Sequence, residues 1–191
     1  MTKLSKKSLL LFISAIAMAA FAMPSMASAV TFHGPGNHTL TSSNLSVTSA
    51  ALGAGWSCTS SVLEVNVAAN TASASVTNAT FTGCSGLDGL ATVPATVTAT
   101  NFPWTITRTA VGTIVIDGIH AVAHFPAATL SLTVSGNLAG GAVNNTTHTV
   151  TYAGGLGLTM TLVPAHGGID SSASAAVTGD LRDDQNSLGV T

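Results

Sequence analysis

The chain is 191 residues long and only 6% of it is charged, against roughly 25% in an average soluble domain, which argues against an ordinary cytosolic enzyme surface. Five cations face seven carboxylates, and Lys3, Lys6 and Lys7 account for three of the five. The rest of the chain cannot neutralise a row of phosphates, so nucleic acids and anionic membrane surfaces are excluded as partners.

From Leu9 to Ala22 the sequence reads LLLFISAIAMAAFA, and Ala27-Ser28-Ala29 then supplies a small-x-small cleavage pattern, so residues 1–29 are predicted to be a secretory signal peptide. Beyond them lie 162 residues with Arg108 and Arg182 against seven carboxylates, a net charge of −5. That length suits one domain, 30–191. No later apolar run reaches the roughly 18 residues of a membrane-spanning helix, and the expected location is secreted, either extracellular or periplasmic. From Val30 onward there are 27 Thr, 16 Ser and no Lys. Such a composition favours pleated, half-buried strands over helices.

Residues 30–49 are expected to form an N-terminal arm or edge strand with His33 and His38 on its surface. Alternation of apolar and polar residues then marks strands in turn: Leu63, Val65 and Val67; Val93, Ala95, Val97 and Ala99; Leu130, Leu132 and Val134; Val150 and Tyr152; Leu156, Leu158, Met160 and Leu162; Ala173, Ala175 and Val177. In SASVTNATF the apolar phase moves from Ala74 and Val76 to Ala79 and Phe81, an odd step that predicts a β-bulge near Thr77 and Asn78. GPGN at 34–37, GLDG at 86–89, AGG at 139–141, NN at 144–145, AGG at 153–155 and HGG at 166–168 read as turns. The predicted fold is an all-β antiparallel sandwich of about eight to ten strands.

The two cysteines, Cys58 and Cys84, are expected to form one disulfide, because an oxidising compartment favours pairing and zinc sites use more cysteines at C-x-x-C spacing. Trp56 near the disulfide reads as core. Phe102-Pro103-Trp104 is an apolar cluster with two readings: core packing, or an exposed platform that stacks on sugar rings or touches lipid. His120 and His124 lie in a strand-like stretch, where four residues span about 13 Å, too far for one metal ion. His148 and His166 stand beside turns and read as surface. Asp180, Asp183 and Asp184 offer oxygens for calcium but lack the EF-hand spacing, so 179–191 is read as a solvated, flexible tail.

Quoted in order, VTFHGPGNHTLTSS, WSCTSSVLEVNVAANTASASVTNATFTGCSG and TNFPWTITRT carry a family resemblance over roughly residues 30–110. The chain resembles the PraA/PraB group of alkane-oxidation activators, small exported bacterial proteins linked to growth on long-chain alkanes. The shared elements are a short TF segment after the signal, a Cys opening one strand, an Ala/Thr-rich strand ending in TFTG, a second Cys and a PWT segment. The resemblance implies an accessory factor at a hydrocarbon–water or cell-surface interface and supplies no catalytic residue.

The residues themselves mark no reaction centre. There is no G-x-S-x-G, and one Glu with six scattered Asp makes a poor source of paired acids. No cofactor and no metal are expected. Two functions follow. One is a non-catalytic accessory or biofilm-matrix protein that meets hydrocarbon, the cell surface or its own copies, self-associating by strand addition with residues 30–49 as donor. The other is a monomeric carbohydrate- or envelope-binding β-sandwich module.

Overall fold

Thr, Val and Ser at alternate positions hold the backbone extended, and the computed structural model places almost the whole of its described part in strands. It describes residues 32–190 except 70, 111 and 165–169; the predicted leader, His166 and the HGG turn lie outside the described residues. In chain order the strands are β1 (Phe32–His33), β2 (Gly36–Ser42), β3 (Ser46–Ser49), β4 (Ala54–Val67), β5 (Ser73–Asp88), β6 (Pro94–Ala99), β7 (Trp104–Ala110), β8 (Thr113–Phe125), β9 (Leu130–Asn144), β10 (Thr149–Pro164), β11 (Ser171–Asp183) and β12 (Gly189–Val190). A short 3-10 turn, Pro126–Ala128, joins β8 to β9.

The sandwich expectation is corrected here: the sheet closes into an eight-stave antiparallel barrel. β2 and β3 lie end to end between β4 and β11, and β6 and β7 lie end to end between β5 and β8. Each stave therefore has a neighbour on both sides. Following registered partners from Thr41 leads through Val62, Thr80, Thr98, Val122, Thr133 and Thr161 to Ser172 on β11. Thr41's own partner on β11 is Arg182, so the ladder closes with a stagger of ten residues, from 172 to 182. Tilted staves need such a stagger to close. Two-faced ribbons fill a sandwich or a barrel equally well, and what decides here is that the first stave reaches the last.

Several glycine clusters read as turns are bulges within long strands. Ala139-Gly140-Gly141 lies inside β9 and Ala153-Gly154-Gly155 inside β10. The β10 ladder slips between Gly155 and Leu158, and this turns Leu156 outward, 67% exposed, off the face it was expected to share with Leu158 and Met160. The odd phase step in SASVTNATF does appear as a register shift, since Glu64 pairs with Asn78 and Val65 with Val76, leaving Thr77 as the extra residue. A second phase change lies further along the same two strands. At Gly83 (φ +59°) an added Cβ would meet the Thr59 hydroxyl, and inward positions move from Ser61 to Cys58 on β4 and from Phe81 to Cys84 on β5.

Inside, large residues register against small ones: Leu132 against Ala123, Val134 against Ala121, Met160 against Ala173 and Leu158 against Ala175. This fills a narrow barrel. The inner face is apolar and the outer face bears hydroxyls, the reverse of the polar-in, apolar-out pattern of a lipid-embedded barrel.

Cys58 and Cys84 are a registered cross-strand pair, joined by a disulfide across 26 residues. Replacing both with Ser should lower stability by about 3 kcal/mol. Urea unfolding checks this, and an unmoved midpoint would contradict it.

Candidate functional site

The first and last described strands, β1 and β12, pair with each other, and a group of buried polar side chains lies close by. In GNHTLTS, His38, Leu40 and Ser42 share a parity, and all three are buried. His38 is 3% exposed, not on a surface arm as expected. Its Nε2 donates to the Gly34 carbonyl oxygen, while Nδ1 lies 3.5 Å from Asp183 Oδ1 and 3.5 Å from Ser187 Oγ.

Asp183, 1% exposed, is the anchor of the segment that follows it. Its carboxylate accepts backbone N–H bonds from Leu188 (2.7 Å), Ser187 (2.8 Å) and Gln185 (3.3 Å). His148 Nδ1 donates to the Leu188 carbonyl at 2.9 Å, and β12 pairs with β1. Burial raises the Asp183 carboxyl, but those three amides and the charge of His38 outweigh it and hold the group below its ordinary 3.8. Residues 179–183 are thus the end of β11, and 184–190 fold across the barrel mouth where a solvated tail was expected.

The three acids expected to offer calcium oxygens are engaged separately. Asp180 accepts from Asn44 Nδ2 at 3.5 Å and Asp184 from Thr41 Oγ1 at 2.7 Å, while Asp183 points inward. Among the described residues no three His, Cys, Asp or Glu side chains cluster to hold a metal. His120 Nδ1 pairs with Thr100 Oγ1 at 2.8 Å and His124 Nδ1 with Ser131 Oγ at 3.1 Å on the outer face.

The Ser187–His38–Asp183 group invites comparison with a nucleophilic triad and differs from one. In a triad the serine and the acid use opposite ring nitrogens. Here both approach Nδ1 and a carbonyl takes Nε2, so the ring fastens three segments together.

The aromatic cluster is interior only at Trp104, with Pro103 exposed. Trp104 is 3% exposed, and its indole N–H donates to the Thr100 carbonyl at 2.9 Å. Phe102, half-buried, stacks on it with ring centroids 4.8 Å apart, and Pro103 makes the bend between β6 and β7. Of the two readings of this cluster, core packing holds for the Trp104 ring. Trp56, Phe81, Trp104 and Tyr152 surround an apolar void of about 60 Å³. The buried Tyr152 hydroxyl has no partner among the described residues, and burial pushes its phenol well above the ordinary range. Outside, Thr41, Asn44, Thr149, Asp180 and Arg182 line an open polar hollow of about 410 Å³ over the junction of β2–β3 with β11.

Residues 5–179 match the family model described as alkane oxidation protein activator PraA/PraB-like. The chain belongs to this family. The match runs well past residue 110, where the motif resemblance stopped, so β8 to β10 of this PraA/PraB-like chain lie within it. Neither the curated proteins nor the solved structures yield a match.

Two outcomes test this geometry. Trp104→Ala should cost about 3 to 5 kcal/mol, read as a fall in the thermal midpoint; unchanged stability would put the ring outside the core. Asp183→Asn should lower stability by about 2 to 4 kcal/mol at neutral pH. Because the folded carboxyl lies below its unfolded value, its contribution is present above about pH 5 and fades as pH falls below about 4. A wild-type-to-variant gap that stays constant down to pH 2 would contradict the role of the charge.

Proposed function

We propose that this PraA/PraB-like protein is an exported, non-catalytic accessory factor that promotes growth on alkanes by contact at the cell surface, in the biofilm matrix or at a hydrocarbon–water interface, associating with its own copies. The observation that supports this reading best is the outer surface. Its girdle of Thr41, Val62, Thr80, Thr98, Val122, Thr133, Thr161 and Ser172 offers hydroxyls and methyls with no charge. A surface so poor in charge repels neither an apolar phase nor a second copy strongly. Buried His38 and Asp183 are engaged in fastening the Gly34 turn and the segment 184–188, and most of the other buried side chains are apolar.

A carbohydrate- or envelope-binding module is the second reading. It no longer rests on Trp104 and is favoured by the open hollow bearing Asp180, Arg182 and several hydroxyls.

Fractionation of the native producer grown on a long-chain alkane should find the protein in medium, matrix or envelope, and the purified protein should adsorb to a hexadecane–water interface. Retention in the cytosol, or absence of adsorption, would contradict the proposal. Retention on an envelope glycan column without interfacial adsorption would favour the second reading.

A further inference from the structure

The barrel is weakest at one stave, and that stave is the one nearest the N-terminus. β2–β3 pairs with β4 along nearly its whole length, from Gly36–Val67 to Ser49–Ala54. With β11 it registers only at Leu40–Asp183 and Thr41–Arg182, then again from Ser46–Thr178 to Thr48–Ala176. Between these patches a side chain replaces the ladder, as Asn44 Oδ1 accepts the Asp180 N–H at 3.0 Å.

The inward face of this stave is also its least apolar. His38, Ser42 and Ser49 share it with Leu40 and Val47, and the buried Ser49 hydroxyl has no partner among the described residues. β8 by contrast buries Ile114, Ile116, Ala121, Ala123 and Phe125. Buried polar groups and few ladder pairs both lower the free energy of local opening. One turn, Ala50 to Gly53, ties the stave to β4.

We propose that β2–β3 leaves its own barrel and fills the slot between β4 and β11 of a second copy. This deepens the self-association in the proposed function and rests on that reading. The closed sheet rules out simple strand addition, since an incoming strand finds no vacant edge, but exchange of a terminal stave makes the vacancy and the filler together. The slot selects this segment. Asp183 faces His38, Asp184 takes the Thr41 hydroxyl and Asp180 takes Asn44, three contacts that read positions 38, 41 and 44 in register. Residues 36–49 carry no Lys, Arg, Asp or Glu, and His38, the titratable side chain among them, meets Asp183 of the slot.

The test is a Ser46→Cys/Thr178→Cys double variant, whose parent hydroxyls lie 2.7 Å apart across the junction. Oxidised after concentration, it should give a ladder of disulfide-linked chains on a non-reducing gel. Oxidised while dilute, it should lock as a monomer that no longer assembles. Only intrachain crosslinks after concentration, with particles as large as wild type, would overturn exchange. If hexadecane adsorption persists in that case, the surface-contact reading stands and exchange alone fails. A second variant needs no new cysteine: Asn44→Ala should speed chain mixing between normal- and heavy-isotope pools about tenfold, read by native mass spectrometry. An unchanged rate, or no mixing in either protein, would equally contradict the proposal.

Discussion

Closure of the sheet hangs on the contact between its first and last staves. Seven staves of this chain would leave two open edges, with rows of unpaired backbone groups and an apolar interior facing water. Docking β2–β3 against β11 removes both. Main-chain pairing there is sparse, and side chains make up the difference: Ser46 with Thr178, Asn44 with Asp180, Thr41 with Asp184 and His38 with Asp183. Four of the chain's charged residues, Asp180, Arg182, Asp183 and Asp184, thus lie where backbone pairing is thinnest.

The same contact organises the end of the barrel. Asp183 is both the last residue of β11 and the acceptor for three amides of the covering segment, so the seam and the cover depend on one carboxylate. Disturbing it should loosen β1, β12 and the covering segment ahead of the disulfide-bound β4–β5 pair and the β8–β9–β10 wall. A rigid wall with one separable stave is the arrangement that the proposed exchange between copies requires, and a charge-poor exterior would oppose their approach only weakly.

Much of this was legible in the residues. Alternation identified the strands, the shift from Val76 to Ala79 located the bulge at Thr77, and the compartment argument paired Cys58 with Cys84. Barrel closure was not legible, because an inward-apolar, outward-hydroxyl ribbon fits a sandwich equally well and the deciding contact joins residues 40 and 183. Ala-Gly-Gly at 139–141 and 153–155 misled because glycine serves turns and strand bulges alike. His38 was readable in principle, since it shares a parity with Leu40, but a histidine near a terminus draws the surface reading. Trp104 had two readings, and burial settled it by way of the hydrogen bond to Thr100 that satisfies its indole.

Amide hydrogen exchange along β11 tests closure most directly. The N–H groups of β11 facing β2–β3, together with their partners at Leu40, Thr41, Val47 and Thr48, should be protected well above unfolded-chain rates, yet open sooner than those between β8 and β9. Exchange there as fast as at a free sheet edge, beside a protected β10–β11 ladder, would contradict the closed barrel.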